Sequence, residues 1–531
     1  MKNSFISVIR VPDDIKIQTE NSPLRYEEKG VENPTDARIQ FEIKGDCLRV
    51  MLMPSKDAVK RIRMRFRGDL SGVRARLGDA WERSSTETMQ WKAFVPHEML
   101  PWYFYASDGA RLHAYGVKTG GNSYALWQCD PCGITLTLDV RCGTDGVRVT
   151  EPLMCAEVIC RRGEEGEEPF AAAREFCRMM CAHPNLPAEP VYGLNNWYWA
   201  YGNTDQQTLV GEARYLAQLS AGCAASPYMV MDDGWQICHT KGYNGGPWTA
   251  CNERFSSMAE TAAQIKAEGC RPGIWFRPLR TLGHVPQEAV YDTPYPGMGL
   301  VMDPTHPFTL QRVEEDAARL ASWGFELIKH DFTTLDLYGR WIPDDRPLHF
   351  YDRSLTNAQI EKRIYETVQR GAGGAVVIGC NTCGHLAAGI HQVQRIGEDT
   401  SGRSFEWTRR GGIHSMMRLP QAGVFSQIDP DCAAFTARVS TSLNLDFMEA
   451  MAISGSTVFA SITPGILNSA EEQRASDIMR IAASIKPEEY AVALDWHRTS
   501  EPREFMFRGR EYVYDWYRDY DGCRDSLTWL D

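Results

Sequence analysis

The chain has 531 residues, past the size at which a single core usually divides, so a large domain with one or two smaller ones is expected. Hydrophobic residues make up 43% and charged residues 24%, the profile of an ordinary globular protein without a disordered or fibrous bias. The net charge of −12 argues against a nucleic-acid partner and against an anionic membrane surface, both of which call for basic patches.

The N-terminus, MKNSFISVIRVPDD, lacks a signal-peptide apolar region and a small-residue cleavage site, so a cytoplasmic location is expected. Nowhere do enough apolar residues run together for a transmembrane helix. The 16 cysteines show no small disulfide framework, and buried free thiols are the simpler account.

Residues 1–165 read as an antiparallel β-sandwich. Ile134, Leu136, Leu138 and Val140 alternate with polar residues, and an Asp145-Gly146 turn precedes Val147 and Val149, which predicts a hairpin. The stretch Ile39 to Met53 alternates in the same way. Residues 166–190 read as a helical linker, with Phe170, Ala173, Phe176, Cys177 and Met180 at helical spacing and PNLPAEP as a connector.

From Val191 the pattern changes. Short apolar runs (PYMVMDDGW, RPGIWFRP, FELIKHDF, AVVIGCN and AMAISGSTVFAS) alternate with amphipathic stretches at 258–269, 310–324 and 358–371. Strands alternating with helices imply βα units and a parallel sheet. About eight such units fit into residues 191–466, as a (β/α)₈ barrel of ~250 residues requires. A doubly wound sheet would want a Gly-rich phosphate loop after its first strand, and GLNNWYWAYG is not one. Residues 467–531 read as a helix and a small β region.

Barrel chemistry sits at the C-terminal strand ends. There the apolar runs end on Asp232 and Asp233, on Lys329 and Asp331, on Cys380 and Asn381, and on Arg395 and Asp399. Lys329 and Asp331 share a parity, as do Arg395 and Asp399, so each strand would present a cation and a carboxylate on one side. A pair of carboxylates is what glycosidic cleavage needs: one attacks or activates water, the other protonates the leaving oxygen. Lys329 would keep Asp331 ionised, whereas Arg395 works against a raised pKa at Asp399. An Asp after a strand is also a common helix N-cap, the plain structural alternative for each. Trp197, Trp235, Trp248 and Trp275 fall near strand ends, where sugars stack on aromatic faces. Cys380-x-x-Cys383 with His385 and His391 has a faint zinc-ligand look, but no second Cys pair stands at matching spacing. No metal and no cofactor is expected.

NNWYWAYG, MDDGWQ, GIWFRP, IKHDF and RIGED, in that order, resemble the retaining α-galactosidases of glycoside hydrolase families 36 and 27. The resemblance covers about 191–465. It implies Asp331 as nucleophile and Asp399 as acid/base. It further implies Asp232 and Asp233 on the galactose 4- and 6-hydroxyls, Lys329 on ring hydroxyls, Arg395 near the 2-hydroxyl, Trp197 as a wall, and Cys380 in the fifth-strand loop. The expected partner is a carbohydrate substrate, with no bearing on oligomeric state. Three departures stand out: His330 where many members have Trp, Arg277 where an acid is frequent, and a 380–391 loop without the usual Gly-run and Arg-x-Asp. That loop reads the C2 substituent in these families. The alternatives are therefore an α-N-acetylgalactosaminidase, a raffinose-synthase-like transglycosidase, and a non-catalytic sugar-binding protein.

Overall fold

A computed structural model describes residues 3–21, 35–83, 87–291, 299–339 and 347–518. The expected C-terminal region therefore falls partly outside the described residues, from 519 onward.

Two antiparallel sheets pack face to face in the N-terminal region. The five-stranded sheet places Val59–Arg67 between Asp14–Thr19 and Gly133–Asp139, and continues through Tyr124–Asp130 to Leu100–Pro101. The six-stranded sheet contains the hairpin Ile39–Lys44 and Cys47–Leu52, then Leu153–Arg161, Leu112–Val117, Tyr103–Ser107 and Ala75–Gly78. Alternation explains the sandwich: Ile62, Met64 and Phe66 are buried while Arg61, Arg63 and Arg65 between them are not. Each such apolar side chain contributes about 1.5–3 kcal/mol on full burial.

The hairpin expected around Asp145-Gly146 does not form. Gly133–Asp139 pairs instead with Val59–Arg67 and Tyr124–Asp130, and Val147 bridges to Val59. Arg141 folds back on the Asp139 carboxylate at 2.9 Å and a Cys142–Asp145 bridge closes a local turn, so the chain leaves the strand before it can reverse.

The helix Pro169–Met180 joins the sandwich to a barrel of eight parallel strands. These are β1 (Tyr192–Asn195), β2 (Tyr228–Met231), β3 (Arg271–Phe276), β4 (Leu327–His330), β5 (Val376–Gly379), β6 (Val393–Arg395), β7 (Gln427–Asp429 and Cys432–Phe435) and β8 (Val458–Ile462). β7 is broken at Pro430-Asp431, where proline offers no N–H and Asp431 has φ +78°. Its first half pairs with β6 and its second with β8. The Thr457 amide also donates to the Ile428 carbonyl at 2.9 Å, which closes the barrel. Outer helices begin at side-chain caps: Asp205 and Ser257 at two, and capping boxes Thr356/Gln359 and Asn468/Glu471 at two more.

The run AMAISGSTVFAS is not one strand. Residues up to Ser454 belong to the helix Thr441–Ser454, Gly455 caps it with φ +75°, and only Val458–Ile462 is strand. That helix is buried almost all round, so no polar face marked its period. The tail forms a three-stranded sheet of Val492–Ala493, Glu504–Phe507 and Arg510–Val513. No helix among the described residues is long and apolar enough to cross a membrane. The fifteen described cysteines are all free thiols.

Candidate active site

The C-terminal strand ends converge on one pocket. Its walls carry Asp232 and Asp233 beyond β2, Trp275 from β3, Lys329 from β4 with Asp331 beyond it, Cys380 beyond β5, and Arg395 from β6 with Asp399 beyond it. Trp197 and Tyr198 close the side next to β1. Lys329 and Arg395 stand among the last residues of their strands, and Asp232, Asp331 and Cys380 follow directly where β2, β4 and β5 end.

Asp331 is held by two donors. The Trp275 indole N–H reaches its Oδ2 at 3.0 Å and the Phe332 amide its Oδ1 at 2.7 Å. Phe332 itself has φ +64°, a conformation a non-glycine residue seldom takes. Tyr201, Asn381 and Asp431 are also at positive φ, and all lie beside pocket residues. Such strain costs on the order of 1–3 kcal/mol per residue and collects where surroundings over-determine a geometry.

Lys329 Nζ bonds Asp232 Oδ2 at 2.8 Å, and the Asn195 amide donates to the same oxygen at 2.8 Å. Burial alone would neutralise this lysine, but the Asp232 carboxylate, with Asp331 and Asp431, holds its pKa well above the usual range. Asp233 accepts from Gln236 at 2.8 Å. Arg395 spans Asp399 at 3.0 Å and the buried Asp431 at 2.6 Å. Asp431 also accepts from Tyr198 and from the Thr400 amide. The Asp399 carboxyl is 55% exposed toward the pocket. Enclosure pushes its pKa up, but the guanidinium groups of Arg83 and Arg395 outweigh this and hold it below the ordinary range. Cys380 is pushed the other way, its thiol kept protonated by burial and by Asp331.

The structure gathers most of the residues singled out in the sequence. Trp235, Trp248 and Asn381 do not line the pocket. Trp235 is fully buried against Trp248 and Trp323, its indole N–H donated to the Trp275 carbonyl. Asn381 lies one layer back, accepting from the Phe332 amide at 3.3 Å and donating to Glu82 at 2.9 Å. Arg395 and Asp399 meet, though not by strand parity: β6 ends at Arg395, and the chain turns to bring Asp399 back. Arg277 does not enter the pocket; it pairs with Asp336 and lies 4.2 Å over the Phe332 ring.

Four wall residues were not singled out: Arg83, Tyr198, Asn244 and Phe332. Tyr198 and Phe332 flank motif residues and were within reach of the sequence. Arg83 comes from the sandwich and carries no sequence signal of a site. The Cys380–His391 loop does not converge on a metal. Cys383 meets Tyr124 at 3.5 Å, His385 stacks on Trp102, and His391 meets His330 at 2.9 Å; no group of three candidate ligands exists among the described residues.

His330 points away from the pocket. Burial pushes its pKa down to about 3, against 6.5 for a free imidazole. Stability from the neutral pair is therefore present above the unfolded value and is lost as pH falls below it. At pH 5 one such histidine costs about 2 kcal/mol. Urea unfolding should show a drop in midpoint from neutral pH to pH 5, and His330→Gln should reduce that drop; an equal drop in the variant would refute the assignment.

No protein-family model and no curated protein matches the chain. Solved structures do. An α-galactosidase from Thermus thermophilus, in complex with p-nitrophenyl α-D-galactopyranoside, aligns with TM-score 0.61 and 15% identity over 97% of this chain and 100% of its own. The GH36 α-galactosidase AgaA from Geobacillus stearothermophilus aligns with TM-score 0.60 and 13% identity over 88% of this chain and 75% of its own. An α-galactosidase from Lactobacillus brevis aligns with TM-score 0.57 and 12% identity over 89% and 70%. The chain thus has the sandwich-plus-barrel fold of the GH36 α-galactosidases.

Proposed function

We propose that the chain is a retaining glycoside hydrolase acting on α-galactosides. The observation that carries this reading is the meeting of Asp331 and Asp399 in one pocket, each beside its own cation-bearing strand. The fold supports the sugar: one structural neighbour is an α-galactosidase in complex with p-nitrophenyl α-D-galactopyranoside, another the same enzyme with stachyose.

The sugar enters with its hydroxyls toward Asp232, Asp233 and Lys329. Asp331 attacks the anomeric carbon, its lone pair steered by the Trp275 and Phe332 donors. The bond to the leaving oxygen breaks as Asp399 gives that oxygen its proton. A covalent galactosyl–Asp331 ester results. Water then loses a proton to Asp399 and attacks the same carbon, expelling the Asp331 carboxylate. Two inversions leave the anomeric configuration unchanged. Arg395 and Lys329 neutralise charge around the two carboxylates throughout.

Hydrolysis of 4-nitrophenyl α-D-galactopyranoside followed by ¹H NMR tests both parts. The first-formed galactose should be the α anomer. A β product would make the enzyme inverting and remove Asp331 from its role. Absence of hydrolysis would reject galactose and direct the search to other α-glycosides, starting with the N-acetylgalactosaminide.

A further inference from the structure

The sandwich reaches into the barrel pocket through one loop. Arg418, from the barrel, clamps that loop by donating to Asp79 Oδ1 at 2.5 Å and to the carbonyls of Ala80 and Glu82 at 2.9 and 2.7 Å. Glu82 is buried, its carboxylate accepting from Asn381 and Thr334, each at 2.9 Å. Held this way, Arg83 has one direction left. Its side chain is only 9% exposed, and its Nη1 lies 3.3 Å from Asp399 Oδ1 and 3.2 Å from Glu398 Oε2. Glu82 Oε1 stands a further 3.4 Å from its Nε.

One guanidinium thus faces three carboxylates. A leaving-group oxygen must come within ~2.6–3.2 Å of Asp399 to receive its proton. Arg83 and Arg395 both donate to Asp399 Oδ1, and while Arg83 does so it favours the ionised form. An ionised Asp399 can serve as base in the second step but not as acid in the first. Glu398, 45% exposed, already pairs with the same Nη1, so Arg83 can withdraw from Asp399 while keeping this second anion.

We propose that Arg83 is a positioning residue that sets the form of Asp399: it lets go of Asp399 and keeps Glu398 when a glycoside fills the pocket, and returns when the aglycone leaves. This rests on reading Asp399 as the acid/base. Other charged and titratable groups also face Asp399. Arg395 from β6 pairs with it, Lys329 from β4 adds a second fixed cation, and Asp331, Cys380 and Tyr198 share the pocket. Asp431 from β7 shares Arg395. All of these belong to the barrel itself, whereas Arg83 arrives on a loop of the sandwich and has Glu398 as a second anion beside Asp399.

The test is the pH dependence of kcat and of kcat/KM for 4-nitrophenyl α-D-galactopyranoside in wild type, Arg83→Met, Arg83→Lys and Glu398→Gln. The alkaline limb of kcat reports the acid in the enzyme–substrate complex, and that of kcat/KM the acid in the free enzyme. Losing the cation should move that limb up by about one pH unit in Arg83→Met, with the acid limb unmoved. Arg83→Lys should restore most of the wild-type profile. Glu398→Gln should move the alkaline limb of kcat down, because Arg83 then has no second anion to keep when it leaves Asp399. Opposite shifts from the two sites are something a purely structural role cannot produce. A parallel fall in rate at every pH, or limbs unmoved in both variants, overturns the proposal. If Arg83→Met does not fold, the half-exposed Glu398→Gln decides alone. A wild type inactive on all α-glycosides would overturn the catalytic reading itself, and this inference with it; an active wild type with unmoved limbs overturns only the role of Arg83.

Discussion

Asp331→Ala should lower kcat for 4-nitrophenyl α-D-galactopyranoside by on the order of 10⁴- to 10⁶-fold, the scale seen when a covalent nucleophile is deleted. The barrier rises by about 1.4 kcal/mol for each tenfold loss. The reason is local. Trp275 and Phe332 hold the carboxylate in a single orientation. No other carboxylate is presented between those two donors. The cavity left by alanine also admits a small anion. Azide should therefore restore turnover in Asp331→Ala and give β-galactosyl azide, since it attacks from the face the carboxylate left. Azide rescue yielding the α-azide would place the nucleophile elsewhere. The variant should remain folded by circular dichroism, because the carboxylate lines the pocket rather than the core.

Arg418→Ala should have the largest effect on stability. Its guanidinium is buried and makes an ion pair with Asp79 together with hydrogen bonds to three carbonyls, those of Ala80, Glu82 and Ile396. Removing it leaves a buried carboxylate that keeps only the Gln421 amide at 3.3 Å. Breaking a buried pair from one side costs about 3–5 kcal/mol. The loss should appear as a fall in urea midpoint. Activity should fall too, because residues 79–83 carry Glu82 behind Asn381 and Arg83 against Asp399. Unchanged stability would mean that the loop is held by other contacts. Arg418→Lys should recover little, since an ammonium cannot span four acceptors.

Much of the barrel was legible before the structure. The strands and helices alternate at the lengths a parallel sheet demands, and the polar residues stand where each apolar run stops. Lys329 and Asp331 lie on one strand end, so simple parity brought them into the same pocket. The failures have physical causes. The helix Thr441–Ser454 is buried on every side, which erased its period. Trp235 follows the motif aspartates but turns into a tryptophan cluster, and local sequence cannot tell a wall from a core. The Asp145-Gly146 turn was overruled by pairing with strands distant in sequence.

What the sequence by itself determined is the set of groups each strand delivers: the paired aspartates of β2, the lysine and aspartate of β4, the arginine and aspartate around β6. These follow from local alternation and from where backbone pairing ends. What only the tertiary structure decided is how those groups are charged and oriented. Asp399 is held ionised by a guanidinium 316 positions away in the chain, and Asp331 is oriented by an indole from the neighbouring strand. Electrostatic coupling depends on distance through space, which folding alone sets. That is why the set of pocket groups could be read along the chain, while the guanidinium beside Asp399 could be found only across the seam between sandwich and barrel.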